Sequence, residues 1–380
     1  MVKKKAMDQF RINRIEITNF KAIDKIEMDF FLPKMKADPD IYVMGSRNGL
    51  GKTSILEACT LLSLAAHSVE KRWNVSRIPE ISMNLSELFI RSGAETASVS
   101  GEFSLNESSI TVSVNLSKDG IIKIDGDSEK IRKILPGNSS TEELVERFFM
   151  LQAGYNMEPV IMQPCLYFHS YRKVQEGNPE LGMMVESDRI HRRMMIRTPY
   201  GRVGIAPNGN MFVSTFKLQI LRAMMGKANL FERLDSKNAD ETLDRLNGLI
   251  DRYAGGKIAK LRPSPDNTVD FRISPVGGGE SFAFDGLSSG QKEIISTLFL
   301  IWYYTRQKPC LILIDEPELH LNAEWHRDFV QQVFKLAPNN QYIIATHSED
   351  IFKSVNEDRR LFFGLSNNEP SRRNVVENVR

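Results

Sequence analysis

The chain has few cysteines, three among 380 residues. Cys59, Cys165 and Cys310 lie far apart and never in CxxC spacing, which argues against a disulfide framework and against a zinc site. We interpret all three as small core residues.

Long hydrophobic runs are also missing. The longest apolar segments, such as Thr297 to Tyr303, are too short to span a bilayer. The first ten residues, MVKKKAMDQF, have the positive start of a signal peptide, but the next ten, RINRIEITNF, alternate charged and apolar residues where a signal peptide needs a continuous hydrophobic core. The sequence therefore predicts no membrane span and a cytoplasmic location.

A large net charge is absent as well, because 50 basic and 48 acidic residues leave +2. This balance does not mark the whole chain as a polyanion binder, although charge can be concentrated locally. The densest basic stretch is Arg189 to Arg197. It admits contact with nucleic acid or an acidic partner, and it also admits a solvated helix face, which is the interpretation we favour.

Apolar periodicity predicts where the strands lie. Residues 11 to 31 alternate as a short hairpin does, and residues 97 to 124 alternate as an antiparallel meander does. The segment Ile41 to Met44 is typical of a compact strand before a glycine loop and a helix. The uninterrupted apolar runs Leu311 to Ile314 and Tyr342 to Ala345 are typical of parallel strands covered on both faces.

The middle of the chain, roughly 126 to 280, is less informative. It mixes helical stretches such as Thr141 to Leu151 and Thr242 to Tyr253 with glycine-rich breaks. It contains no heptad run long enough for an extended coiled coil. The segment after residue 365 is polar, and we expect a loose tail there.

The loop after the first apolar strand carries a phosphate-binding pattern. The segment SRNGLGKT (46–53) fits the P-loop at every position but the first, where Ser46 stands and Gly45 lies one residue earlier. Backbone N–H groups of such a loop, at the positive end of a helix, hold phosphates well. A chance glycine turn before a helix is the alternative interpretation. The predicted nucleotide-contacting residues are Asn48, Gly49, Leu50, Gly51, Lys52, Thr53 and Ser54.

Two of these residues have specific chemistry. Lys52 is expected to reach the β- and γ-phosphates of ATP as a point charge, and the Thr53 hydroxyl is placed to coordinate Mg²⁺.

A pair of carboxylates, Asp315 and Glu316, follows a buried strand, at the end where ligands sit in open α/β sheets. We expect Asp315 to hold Mg²⁺ and Glu316 to act as the general base for the attacking water. An acidic helix start with Pro317 in its first turn is the alternative.

The segment LSSGQKE (287–293) opens a helical stretch that runs to about Arg306. It resembles the signature sequence of the ABC ATPase superfamily, and it lies one helix before the aspartate-glutamate strand, as in that family. The resemblance implies that Ser288 and Gly290 contact ATP held by the P-loop of a second subunit. A helix cap uses the same free N–H groups, so the two interpretations are compatible.

The histidine after the last apolar strand, His347, matches the switch histidine of the same family. The resemblance implies contact with the γ-phosphate. A glutamine loop is harder to place: Gln163 is one candidate, and Ser170 to Arg172 is the other. The four motifs cover residues 10 to 65 and 284 to 355 in the order of the family.

Two further segments narrow the resemblance. NFK (19–21) and EPELHL (316–321) are similar to the overcoming-lysogenization-defect and SMC-like ATPases, often grouped as AAA-type domains of bacterial defence against phage. The ATPase subunits of the PARIS and Septu systems are the relatives to compare first. The Ser-Ala-Leu-Asp segment of transporter ATPases is absent, which makes a transporter subunit the least favoured interpretation.

The expected fold class is α/β, with a P-loop ABC-type ATPase core, a mixed and largely parallel sheet, an antiparallel β-lobe and an inserted helical region. We expect an N-terminal ATPase lobe at 1–125, a helical insert at 126–280, a C-terminal ATPase lobe at 281–365 and a loose tail at 366–380. The four segments include the P-loop in the first and the signature, aspartate-glutamate strand and switch histidine in the third.

The expected function is an ATP-hydrolysing enzyme, with ATP and Mg²⁺ in composite sites of a homodimer or a higher homo-oligomer. The first hypothesis is a sensor or scaffold in anti-phage defence that controls a separate effector chain, such as a nuclease. The alternatives are a RecF-like DNA-repair ATPase and a scaffold in which ATP turnover is slow. The complete set of Lys52, Asp315, Glu316 and His347 favours turnover. Nucleic acid is retained as a partner class, and a membrane is not.

Overall fold

The computed structural model describes residues 10–35, 38–46, 51–67, 72–74, 88–105, 108–126, 148, 159–162, 164–174, 178–180, 214–228, 238–265, 267–319, 321–365 and 374–378. The chain divides into two compact units. The first consists of Met1–Tyr171 with Tyr304–Arg380, and the second of Arg172–Tyr303. This division differs from the boundaries at 125, 280 and 365 expected from the sequence, and the roles given to those four segments stay predictions.

The described residues form strands and helices in a mixed order along the chain. The elements are β1 (Phe10–Phe20), β2 (Ile23–Asp29), β3 (Asp40–Ser46), α1 (Lys52–His67), β4 (Arg72–Asn74), β5 (Thr96–Leu105), β6 (Ser108–Ser117), β7 (Ile121–Gly126), β8 (Val160–Met162), β9 (Cys165–Phe168), α2 (Thr215–Lys227), α3 (Ala239–Ala254), β10 (Gly256–Pro263), β11 (Val269–Pro275), β12 (Phe282–Ala283), α4 (Ser289–Thr305), β13 (Leu311–Asp315), α5 (Ala323–Leu336), β14 (Gln341–Thr346), α6 (Glu349–Lys353), β15 (Arg360–Leu365) and β16 (Asn374–Asn378). The hairpin, the meander and the two apolar strands predicted from periodicity are all present.

A seven-stranded sheet of the first unit has the order β16-β15-β3-β14-β13-β9-β8. Its five inner strands pair in parallel, and β16 and β8 pair antiparallel at the two edges. Every residue of β13 and β14 is buried, because both faces of these strands are covered. Parallel pairing brings the carboxyl ends of β3, β13 and β14 to one edge of the sheet.

A six-stranded antiparallel sheet of the same unit has the order β2-β1-β5-β6-β7-β4. Alternate residues of β6 are buried, and those between them are more exposed. This pattern is typical of a sheet with one covered face. Helix α1 contacts strands of both sheets, and its residues from Ser54 to Ala66 are all buried. Most of these residues are apolar, and the buried Thr60 and Ser63 hydroxyls donate to carbonyls one turn back, so the helix tolerates such an enclosed place. The main hydrophobic core therefore surrounds α1.

One buried side chain joins the two sheets directly. The Gln341 amide at the start of β14 accepts the Ile12 N–H and donates to the Ile12 carbonyl, both at 2.9 Å. It thereby satisfies backbone groups of β1 as a neighbouring strand would.

The end of the chain differs from the sequence expectation. Residues 374–378, inside the segment expected to be a loose tail, form β16 and pair with β15 from Leu361↔Asn378 to Leu365↔Asn374. The sequence of this segment, NVVEN, contains two adjacent valines, a residue type enriched in strands. The polar flanks of this short strand conceal it in the sequence.

The second unit contains α2, α3, the residues of α4 up to Tyr303, and a three-stranded antiparallel sheet of order β10-β11-β12. The helix predicted over Thr242 to Tyr253 is present within α3, which is followed by Gly255 in the left-handed conformation (φ 63°) as its C-cap. The ring of Phe216 packs against those of Phe284 and Phe299, with centroids 5.3 Å apart in each pair. The helix predicted over Thr141 to Leu151 lies almost entirely outside the described residues.

The three cysteines are buried and free, as expected of core residues. Burial raises the pKa of the Cys165 thiol to about 12. None of the helices in the described part of the chain is long and apolar enough to cross a membrane.

Candidate functional site

Of the P-loop, the structure describes Ser46 at the end of β3 and the residues from Gly51 onward, where the chain turns into α1. Gly51 has a φ of 91°, a conformation that side chains strongly disfavour. A Cβ at this position would also lie 2.8 Å from Cγ1 of Ile23 in β2. The Ile55 N–H donates to the Gly51 carbonyl at 3.0 Å and starts the helix. The sequence thus needs glycine here for two independent reasons.

Lys52 and Thr53, the first residues of α1, face the carboxyl edge of the parallel sheet. The Thr53 hydroxyl donates to the Asp315 carboxylate, 2.9 Å from Oδ2 and 3.2 Å from Oδ1. Asp315 is the last residue of β13 and is fully buried. The two side chains predicted to hold Mg²⁺ are therefore in direct contact, although they are 262 residues apart.

Glu316 and His347 lie beside this pair. Asp315 is in register with Ala345, so the residues that follow β13 and β14 are neighbours. The His347 Nε2 atom lies 3.3 Å from Glu316 Oε1 and 3.1 Å from the Lys52 Nζ. The predicted base, switch histidine and phosphate-binding lysine thus converge at one point.

The backbone of Glu316 is in the left-handed region, with a φ of 45°. Its N–H donates to the Ala345 carbonyl at 2.8 Å, and its own carbonyl accepts the Leu319 N–H at 3.1 Å. A left-handed glutamate costs about 1 kcal/mol and persists only where the surroundings fix it. These two hydrogen bonds hold the backbone that aims the Glu316 side chain.

Opposing effects act on the pKa of Lys52. Burial lowers the pKa of its ammonium group, and the negative charges of Glu316, Asp315 and Glu318 oppose that shift. The residue is 5% exposed. A buried cation that its own protein compensates only in part is suited to an additional anionic partner.

The signature segment belongs to the second unit. Ser288 is exposed, and its hydroxyl accepts the Gln291 N–H at 3.2 Å, while the Gln291 side chain accepts the Ser288 N–H at 3.0 Å. This reciprocal pair is a capping box at the start of α4. The Gln291 amide also donates to the Tyr253 carbonyl at 2.9 Å, which ties the cap to α3. The predicted cap is present, and contact with a partner's nucleotide stays a prediction.

Several predicted residues lie outside the described part of the chain. They are Asn48, Gly49, Leu50, Gln163 and the basic stretch Arg189–Arg197. The other glutamine-loop candidate, Ser170 to Arg172, begins two residues after the end of β9, and β9 is the strand that pairs with β13. Ser54 is buried in the first turn of α1, and Gly290 is buried at the start of α4.

Glu318 is a site residue that the sequence motifs did not identify. Its carboxylate accepts hydrogen bonds from the turn that carries His347. Its presence in EPELHL was visible, but the pairing of this segment with a turn 28 residues away was not.

Comparison with known proteins agrees with this geometry. A family model described as the RecF/RecN/SMC N terminal domain matches residues 11–368. The fold is that of an SMC head, an α/β fold with mixed and antiparallel sheets around a P-loop ABC-type ATPase core, which confirms the expected fold class. The chain belongs to the RecF/RecN/SMC N terminal domain family.

Two solved structures and one curated protein illustrate the likeness. An SMC head bound to the C-winged helix domain of ScpA superposes with a TM-score of 0.54 at 15% identity, covering 96% of each chain. An SMC head with an extended coiled coil, bound to the C-terminal domain of ScpA derived from Pyrococcus furiosus, gives a TM-score of 0.51 at 15% identity and covers 97% of this chain and 96% of that one.

The curated protein is the retron Vc95 probable ATPase of Vibrio cholerae serotype O1 biovar El Tor, 28% identical over 102 residues. The match covers 24% of this chain and 20% of that protein. The chain therefore matches only about a fifth of the length of this relative.

Proposed function

We propose that the chain is an ATPase that binds ATP with Mg²⁺ and hydrolyses it in sites completed by a second copy of itself. The observation that supports this most strongly is the convergence of Lys52, Thr53, Asp315, Glu316 and His347 at the carboxyl edge of one sheet. Hydrolysis of a phosphoric anhydride by an enzyme of this kind uses a cation that binds the phosphates, a metal site and a positioned base. These five residues provide all three.

Each residue has a separate task in this proposal. Lys52 binds the terminal phosphates, and the Thr53 hydroxyl and the Asp315 carboxylate are the oxygens that fit Mg²⁺. Bound Mg²⁺ would neutralise the charge that develops on the phosphate oxygens. Glu316 orients the attacking water and accepts its proton, since this carboxylate is held by a fixed backbone next to the lysine. His347, between Lys52 and Glu316, contacts the γ-phosphate.

The composite site rests on the second unit. The start of α4 presents an exposed Ser288 within a capping box, at a helix end whose remaining N–H groups favour an anion. We propose that Ser288 and Gly290 bind the γ-phosphate of ATP on the partner's P-loop, so that ATP holds a homodimer, or a higher homo-oligomer, together.

The biological role that we propose is defence against phage, with this ATPase as sensor or scaffold for a separate effector chain. The similarity to a retron ATPase supports it, together with the segment EPELHL. A RecF-like role in DNA repair is the second candidate, because the matching family model includes RecF. Copurification from the native host discriminates them: a bound effector chain supports the first, and stimulation of ATP hydrolysis by DNA without such a chain supports the second.

The enzymatic part is tested with two substitutions. Lys52→Ala should abolish ATP binding, because it removes the ammonium group that binds the phosphates. Glu316→Gln should leave ATP affinity within about twofold and slow hydrolysis by about a hundredfold or more, because it removes only the base. Equilibrium binding of a fluorescent ATP analogue and phosphate release measure the two effects. Unchanged affinity in Lys52→Ala, or undiminished turnover in Glu316→Gln, would contradict the proposal.

A further inference from the structure

The carboxylate of Glu318 forms hydrogen bonds with two adjacent residues of the turn at the end of β14. Its Oε1 atom accepts the backbone N–H of His347 at 2.5 Å, and its Oε2 atom accepts the hydroxyl of Thr346 at 2.7 Å. Glu318 lies in the turn after β13, so this pair of hydrogen bonds joins the two loops at the edge where Asp315 and Glu316 are found.

Other hydrogen bonds stabilise the same turn on its other side. The Thr346 hydroxyl accepts the Ser348 N–H at 2.9 Å, and the Ser348 hydroxyl accepts the Ile351 N–H at 3.4 Å at the start of α6. The Ser348 hydroxyl also lies 3.2 Å from Nδ1 of His326 on α5. The turn is therefore fixed by contacts to three elements, and Glu318 is the contact on the side of the site.

We propose that Glu318 is a positioning residue for His347, and that it sets the imidazole between Lys52 and Glu316 without itself touching the substrate. This deepens the proposed function and rests on it. The backbone N–H that Glu318 binds belongs to the same residue as the imidazole. The imidazole Nε2 atom lies 3.1 Å from Lys52 Nζ and 3.3 Å from Glu316 Oε1. A shift of the turn moves the imidazole away from both partners.

The contact uses both oxygens of the Glu318 side chain. Both partners of Glu318 donate hydrogen, and an ionised carboxylate can accept from both at once. A glutamine could keep both contacts, because its oxygen can accept the His347 N–H and its amino group can donate to the Thr346 hydroxyl, whose oxygen has a second lone pair. Methionine is of similar length and can make neither hydrogen bond, so Glu318→Met removes both.

The first test compares Glu318→Met with Glu324→Met, the same substitution at an exposed glutamate, in the full chain. Glu318→Met should lower kcat by about tenfold to a hundredfold, the loss expected from misplacing a reacting group, with ATP affinity within about twofold. Glu324→Met should retain the wild-type kcat. A kcat of Glu318→Met equal to that of the wild type would overturn the inference.

Thr346 provides a second route that does not depend on the folding of Glu318→Met. Thr346→Ser keeps the hydroxyl that donates to Glu318 and should retain most turnover, whereas Thr346→Val removes it and should lower kcat in the same direction as Glu318→Met. Equal kcat for the serine and valine variants would contradict the role of this contact.

A double-mutant cycle separates positioning from a direct role. If Glu318 acts through His347, Glu318→Met should cause no further loss of kcat in a His347→Ala background. A full additional loss there would show that Glu318 acts on its own and would overturn the inference. Turnover that does not depend on Glu316 would overturn the proposed function itself, whereas turnover that depends on Glu316 and His347 but not on Glu318 removes only the positioning role.

Discussion

At the scale of single residues, the residues with recognisable chemistry could be predicted and their supports could not. Lys52, Asp315, Glu316 and His347 follow strands or a glycine loop, so their type and place were visible in the sequence. Glu318 differs because its function depends on a contact with a turn that only the parallel register of β13 and β14 brings near.

The left-handed backbone of Glu316 was equally hidden. Glutamate gives no local signal for a positive φ, since asparagine and glycine are the residues that adopt it readily. The conformation is imposed by the hydrogen bond from the Glu316 N–H to the Ala345 carbonyl, which again depends on the neighbouring strand.

The buried ammonium group of Lys52 leads to a prediction about stability. Its pKa is lowered in the fold, chiefly by burial, so the unfolded chain holds this proton more tightly. The resulting penalty is present at pH values below the folded pKa and disappears as the pH rises to the unfolded value of about 10.5. Lys52→Met should therefore raise the melting temperature of the nucleotide-free protein at pH 7, and the gain should shrink towards pH 10.

Thermal denaturation in nucleotide-free buffer at several pH values measures this effect. Lys335→Met, which replaces an exposed lysine of α5, is the matched control and should leave the melting temperature nearly unchanged. A Lys52→Met variant that melts below the wild type at pH 7 would show that the lysine is a net stabiliser of the empty site.

At the scale of elements, periodicity was sufficient where one face or both faces of a strand are buried. β1, β2, β5, β6 and β7 follow the alternation, and β13 and β14 follow the uninterrupted apolar pattern. β16 was missed because it is short and its neighbours are polar, and a strand added to a sheet edge needs little apolar character of its own. The motifs were therefore assigned to the correct elements.

The link between the two sheets of the first unit leads to a second stability prediction. Gln341→Leu would leave the Ile12 N–H without its buried acceptor and would remove one of the two donors to the Ile12 carbonyl, the other being Arg11 Nη1 at 3.4 Å. We expect the free energy of unfolding to fall by about 2 kcal/mol, the usual cost of a buried backbone group left unpaired. Urea denaturation of the variant measures the loss.

Gln331→Leu, at an exposed position of α5, introduces the same change without breaking such a pair. It should change the free energy of unfolding by no more than about 0.5 kcal/mol. Equal stability of the two variants would show that Gln341 is not a structural link between the sheets.

At the scale of the whole molecule, the compact units were not predicted. The boundary at 171/172 is followed by a short polar segment, RKVQEGNPE (172–180), that is no different from other loops in the sequence, and the boundary at 303/304 lies inside the apolar stretch of α4. Composition and periodicity report local environment, whereas a unit is defined by which distant segments pack together. The assembly is likewise a property that no single chain displays.

The central claim, an ATP site shared between two copies, is tested most directly by complementation. Ser288→Arg should block closure and hydrolysis but leave ATP on the P-loop of its own chain, and Lys52→Ala should not bind ATP. In a heterodimer of the two variants, both defects fall on the same site and the other site is intact. A 1:1 mixture with random exchange should recover about a quarter of the wild-type ATPase rate, because half of the dimers are heterodimers with one of two sites intact.

The matched control mixes Lys52→Ala with Glu316→Gln. Since Lys52 and Glu316 serve the same chain's P-loop site, these defects fall on opposite sites of the heterodimer, and no activity should return. The measurement is the rate of phosphate release from each mixture, with heterodimers verified by differently tagged chains. Recovery in the Ser288→Arg mixture alone is the predicted result; an active Ser288→Arg homodimer, or verified heterodimers without activity, would contradict the shared site.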